Sequence, residues 1–173
     1  MARGDEDFVA FATASSARLQ RAAYLLTGDP HQAEEAAQTA LVRVYAAWGR
    51  VRHKDPYAYA RTVLANLVTD QWRRPMREYA IETMPEQPAP HDVADAVSKR
   101  RWLIDALRTL SPRERTVIVL RHFFDASEAD VARELNLSAG TVKSLNSRAL
   151  AKLRITVGLM PPLRTETEAG VGR

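Results

Sequence analysis

The chain has 173 residues, 46% of them hydrophobic and 27% charged, enough for one domain or two small helical ones, which excludes a chain disordered throughout. Cysteine is absent, which excludes a disulfide framework, thiolate metal sites and a cysteine nucleophile; with no charged-then-apolar leader and no long apolar run, a soluble cytoplasmic protein without a membrane partner is expected. The formal net charge of +4 is unevenly placed, with +2 over residues 1–76, −4 over 77–98 and +6 over 99–157, so the positive charge that suits a polyanion is concentrated in the C-terminal half.

Three helices are predicted before residue 77. Phe8, Phe11, Ser15, Leu19, Ala22 and Leu26 share one face of the first, which Gly28 can end. Ala33, Ala37, Leu41, Val44 and Trp48 mark the second, and Val63, Leu64, Leu67, Val68 and Trp72 the third, from Pro56 to Arg74. Starts are signalled by Asp29-Pro30, Asp55-Pro56 and Ser111-Pro112, each a capping side chain before a proline at the first helical position, and Glu114 completes a capping box with Ser111.

Segment 77–98 contains Pro85, Pro88 and Pro90 and is strongly acidic, so it reads as a flexible interdomain linker in which a helix is not expected. Residues 158–173, rich in glycine and proline, read as a flexible tail. Strand-like alternation appears nowhere. The expected fold is all-α: two small helical domains, 1–76 and 99–157, joined by the linker.

Residues 127–154, SEADVARELNLSAGTVKSLNSRALAKLR, carry two helix caps, Ser127 and Ser138, with Asn136 between them at a position suited to a left-handed turn. Val131, Ala132, Leu135, Leu137, Val142 and Leu145 fall at the offsets by which two steeply crossing helices bury a shared face, a helix-turn-helix pattern. The second helix leaves Thr141, Lys143, Ser144, Ser147 and Arg148 outside, and no acidic residue occurs from 135 to 165. Short hydroxyls beside forked and pointed cations suit base edges and phosphates better than an ordinary solvated face does.

Residues 107–154, beginning LRTLSPRERTVIVLRHFFDASEADVARELNLS, resemble region four of the extracytoplasmic-function (group 4) sigma factors of the sigma-70 family, of the actinobacterial sigma-E type, and residues 8–74 resemble region two. DPHQAEEAAQTALVRVYAAW is similar to the family's polymerase-docking helix, and PYAYARTVLANLVTDQWRR to its promoter-melting, −10-reading helix. The resemblance implies an alternative sigma factor that binds the β and β′ subunits of bacterial core RNA polymerase and opens promoter DNA. It also admits an anti-sigma factor as a partner. No cofactor, metal or catalytic residue is expected.

By the same resemblance, Glu34, Glu35 and Gln38 face the β′ clamp helices. Arg50, Arg52 and Lys54 in the loop 49–55, Tyr57 and Tyr59 just after it, and the polar stripe that Thr62, Asn66, Thr69, Asp70 and Arg73 form at helical spacing attend the −10 element, with Asn66 at an unstacked base. Lys143, Ser144, Ser147 and Arg148 read the −35 element, with Thr141 and Ser127 near phosphates; Asn146 is left either facing DNA or costing packing. Trp48 and Trp72 are expected in the core.

Two rival readings follow from the residues. A two-domain helix-turn-helix regulator that is not a sigma subunit would share the C-terminal half but needs an effector pocket or dimerisation helix at the N-terminus. A carboxylate-bridged metal enzyme built on His31, Glu34 and Glu35 would want Glu-x-x-His on two helices, and no glutamate here has a histidine three residues later.

Overall fold

The computed structural model describes residues 3–73 and 91–158, and in them every regular element is helical. The amino-terminal half is a bundle of α1 (Arg3–Thr27), α2 (Pro30–Ala46), the short α3 (Trp48–Val51) and α4 (Pro56–Arg73). The carboxy-terminal half comprises α5 (His91–Arg108), α6 (Pro112–Ile118), a π-helical turn (Val119–Phe123), α7 (Glu128–Leu135) and α8 (Ala139–Gly158).

The helix starts follow their caps. Asp29 Oδ1 accepts from Gln32 N–H at 2.8 Å and Asp55 Oδ1 from Ala58 N–H at 2.8 Å. Ser111 and Glu114 form the reciprocal capping box. At the end of α1, Gly28 takes φ +70, and a Cβ there would lie 2.9 Å from Arg108 Nε, so the turn needs glycine on two counts.

Ala33, Ala36, Ala37 and Ala40 are all buried on α2, a small-residue face that lets α1 and α4 approach closely around Leu19, Leu26, Val44, Leu64 and Val68. Trp48 is buried as expected, its ring 5.3 Å from those of both Phe8 and Phe11. That anchoring folds the start of the expected 49–55 loop into α3, with Arg52 N–H bonded to Trp48 O at 3.0 Å. Trp72's side chain lies outside the described residues.

Two further differences from the sequence reading stand out. Helix α5 begins at His91, inside the stretch expected to be linker, because no proline or glycine occurs from 91 to 111 once Pro90 is passed; residues 77–90 lie outside the described residues. The apolar core also runs from one half into the other: Val117, Leu120, Phe124, Val131 and Val142 share one buried cluster with Leu19, Leu26 and Leu64. Helix α4 packs on both α6 and α7, and α1 on α5, α6 and the π turn.

Candidate nucleic-acid interface

Helices α7 and α8 are set by their caps. Ser127 Oγ accepts from Asp130 N–H at 3.0 Å, Asn136 adopts φ 52 at the turn, and Ser138 Oγ accepts from Thr141 N–H at 3.1 Å. Val131, Ala132, Val142 and Leu145 are buried between the helices. The opposite face of α8 is therefore turned outward, and Thr141, Lys143, Ser144, Ser147 and Arg148 are all exposed.

Charge on this face is free for a partner. Lys143, Arg148 and Arg154 form no ion pair among the described residues. Lys152 differs: it donates to both carboxylate oxygens of the buried Glu114, at 3.0 and 2.8 Å. That ammonium, together with the Ser111 N–H, holds the Glu114 carboxyl below the usual carboxylate range despite its burial. Asn146 is half-buried, with Oδ1 2.9 Å from His122 Nε2, so it is tied to the π turn. Ser127 uses its hydroxyl within the cap, donating to Asp130 at 2.6 Å; with Arg133 it lowers the Asp130 carboxyl.

On α4, Asn66 and Asp70 are exposed, whereas Thr62 and Thr69 are half-buried and donate to the carbonyls of Ala58 and Ala65. The Arg73 side chain lies outside the described residues. Arg50, Arg52 and Lys54 are exposed, Arg52 3.8 Å from Asp7. Tyr59, Arg50, Gly49 and Arg43 line one concavity, a cationic and aromatic setting to which Arg43 was not assigned by sequence. Tyr57 is placed otherwise: its ring stands 5.8 Å from that of Phe124, edge to face, and its hydroxyl is buried without a partner. Burial pushes that hydroxyl above its ordinary value, with Arg18, Arg61 and Arg21 pulling the other way.

The third surface is the outer face of α2. Glu34, Glu35 and Gln38 are exposed, and Gln38 Nε2 donates to Glu34 at 3.1 Å. Val42 and Tyr45 continue the face at helical spacing, 67% and 52% exposed, apolar surface that residue type alone does not distinguish from a buried helix face. Tyr45 donates to Asp5 at 3.2 Å, and that bond raises its hydroxyl from the ordinary value.

Residues 11–78 match the family sigma-70 region 2, and residues 100–153 match sigma-70, region 4. The RNA polymerase sigma-E factor of Streptomyces coelicolor is 42% identical over 138 residues, 79% of this chain and 77% of the relative. The extracytoplasmic-function factor SigL of Mycobacterium tuberculosis is 33% identical over 152 residues, covering 82% and 84%. The chain belongs to the extracytoplasmic-function sigma factors of the sigma-70 family. Its fold is that of the sigma factor RpoE solved in complex with the anti-sigma factor NepR from Bartonella quintana, at a TM-score of 0.67 over 90% of this chain and 99% of that one with 24% identity. A TM-score of 0.61 relates it to CnrH, solved with the cytosolic domain of CnrY, over 87% of each chain at 22% identity.

As a sigma factor the protein directs transcription initiation, so the reading as a free-standing helix-turn-helix regulator is set aside by the two regions occurring in this order. The curated relatives are sigma factors rather than catalysts. Among the described residues, no helix of the sigma factor is long and apolar enough to cross a membrane.

Proposed function

We propose that this sigma factor docks core polymerase with the outer face of α2, reads duplex −35 DNA with the outer face of α8, and captures the opened −10 strand along α4 and α3. The observation that carries the reading is the α8 face, where five exposed donors include two cations without an ion pair among the described residues, over a helix with no acidic residue. Such a face binds a polyanion while the packed side fixes its orientation.

Docking extends along α2 from Glu34, Glu35 and Gln38 to Val42 and Tyr45, an apolar stretch with a polar rim that favours a protein partner over solvent. At the −10 element, exposed Asn66 offers an amide to an unstacked base, and Arg43, Arg50 and Tyr59 offer charge and a ring. Opening then requires only tighter binding of the open strand than of the duplex, with no bond made or broken. The protein acts in the cytoplasm, where its promoters are, and catalyses no reaction itself. The complexes in which RpoE and CnrH were solved make an anti-sigma factor a fitting partner class.

Run-off transcription with core polymerase and genomic promoter fragments tests the reading. Addition of the protein should start transcripts at sites that share one upstream and one downstream sequence element. Transcripts from unrelated sites, or none, would contradict it.

A further inference from the structure

The π turn carries two basic side chains ahead of α7, and their surroundings set them apart. Arg121 is half-buried and turned into its own loop, with Nη1 donating to the Ala126 carbonyl and Nε buried without a partner. His122 is exposed, and its Nε2 lies 2.9 Å from Oδ1 of Asn146 on α8. An amide oxygen only accepts, so Nε2 carries the proton and that bond ties the ring to the reading helix. The turn itself, closed by Phe124 N–H on the Val119 carbonyl at 3.1 Å, is a rare element that recurs at functional sites.

With Nε2 engaged, Nδ1 decides what the ring can bind, and it has no partner among the described residues. In the neutral ring Nδ1 is an acceptor, and a phosphate oxygen, also an acceptor, cannot pair with it; in the cation it becomes a donor and the pair is charge-assisted. Histidine changes between these forms from pH 5 to 8. Asn146 stands three residues after Lys143, one turn along α8, so the ring borders the outer face on which Lys143 is exposed. Of the charged groups that α1, α6 and α7 bring to the π turn, Arg18 is bonded to the Phe123 carbonyl, Arg115 to the Leu26 carbonyl and Glu114 to Lys152. Asp130 and Glu134 are paired with Arg133 and Arg61. The acids that remain, Asp125 and Glu128, form no ion pair among the described residues. His122 therefore has no acidic partner in the free chain, and a DNA phosphate would be its first.

We propose that His122, held by Asn146, is a further DNA-binding residue at the edge of the −35 surface, which grips a backbone phosphate in its protonated form, so that promoter binding strengthens as pH falls from 8 to 6. Asn146 is then a positioning residue. Binding takes up one proton from solvent at Nδ1, and no covalent bond between heavy atoms changes. The proposal rests on the sigma reading given above for which DNA is bound; a phosphate contact is itself independent of sequence.

The test is competition binding by the full chain joined to core polymerase, against duplexes with an intact or a scrambled −35 element, at pH 6 and pH 8 and at two salt concentrations. From pH 8 to pH 6 the affinity of the unmodified protein should rise roughly fivefold more than that of His122→Ala, on both duplexes, and its salt slope should steepen by about 0.9, one phosphate contact. His31, His53 and His91 are present in every variant and cancel in the comparison. His122→Arg should show at pH 8 the affinity and slope that the unmodified protein shows at pH 6, which a merely misfolded variant would not do. Asn146→Ala, which frees the ring, should keep only part of the gain in acid. An equal gain in His122→Ala, or one that persists in His122→Arg, would overturn the phosphate contact; a full gain in Asn146→Ala would overturn the positioning role. Failure to distinguish the intact from the scrambled duplex would instead count against the sigma reading alone, since the gain on scrambled DNA still reports the contact.

Discussion

Lys152 lies on the basic helix α8, yet the structure assigns it to the fold, and Lys152→Met separates those roles. Its ammonium contacts both oxygens of Glu114, whose side chain is 5% exposed against 49% for the lysine. Removing one end of a fully buried pair costs ~3–5 kcal/mol. The half-exposed lysine and the Ser111 N–H that still reaches Glu114 at 2.9 Å reduce this to about 2 kcal/mol. For a chain of this size that corresponds to a fall of roughly 4–8 °C in melting temperature at neutral pH. The sign with pH follows from the depressed Glu114 carboxyl: its contribution is complete above the unfolded value of ~4.3 and is lost as pH falls through the lower folded value, so the gap between the two proteins should close in acid. Thermal melts by circular dichroism at neutral and acid pH measure it, alongside the salt dependence of binding to −35 duplex. An unchanged melting temperature with a salt slope reduced by one contact would place Lys152 on DNA and not in the fold.

Glu35→Lys with Gln38→Ala, both on the exposed face of α2, should lower co-purification with core polymerase several-fold at unchanged helical content. Arg148→Ala should cost ~1–3 kcal/mol and relax preference at one −35 position, while Lys143→Ala should weaken all sequences alike and reduce the salt slope by about one, as read by competition binding over a −35 mutation series at two salt concentrations. Asn66→Ala should leave −35 duplex binding intact and reduce permanganate reactivity of promoter thymines in the holoenzyme, since an exposed amide serves an unstacked base and alanine keeps the helix.

What the sequence made legible is what neighbouring residues determine. Asp29, Asp55, Ser111, Ser127 and Ser138 announce their helices because a cap and its amide lie within three residues, and the helix-turn-helix is legible from Asn136 and the apolar offsets around it. The outward set on α8 follows once its buried side is known. Partners far apart in the chain leave no such signal: Arg61 and Glu134 are 73 residues apart, and nothing local to Arg115 points to the Leu26 carbonyl. Tyr57 reads equally well as a stacking platform and as an interior ring, and only packing against Phe124 decides for the second. The same holds for Asn146, where the choice is made by His122 from the π turn.

In the holoenzyme α8 and α4 should contact two promoter elements at once, and site-specific photocrosslinking reads both contacts. With a photoreactive residue at Ser147 or Asp70, both exposed, the first position should mark the upstream −35 duplex and the second the opened −10 strand, about 25 base pairs away and ~85 Å along the helix axis. Crosslinks from both positions to one element, or none to DNA from Ser147 in a transcribing complex, would contradict it.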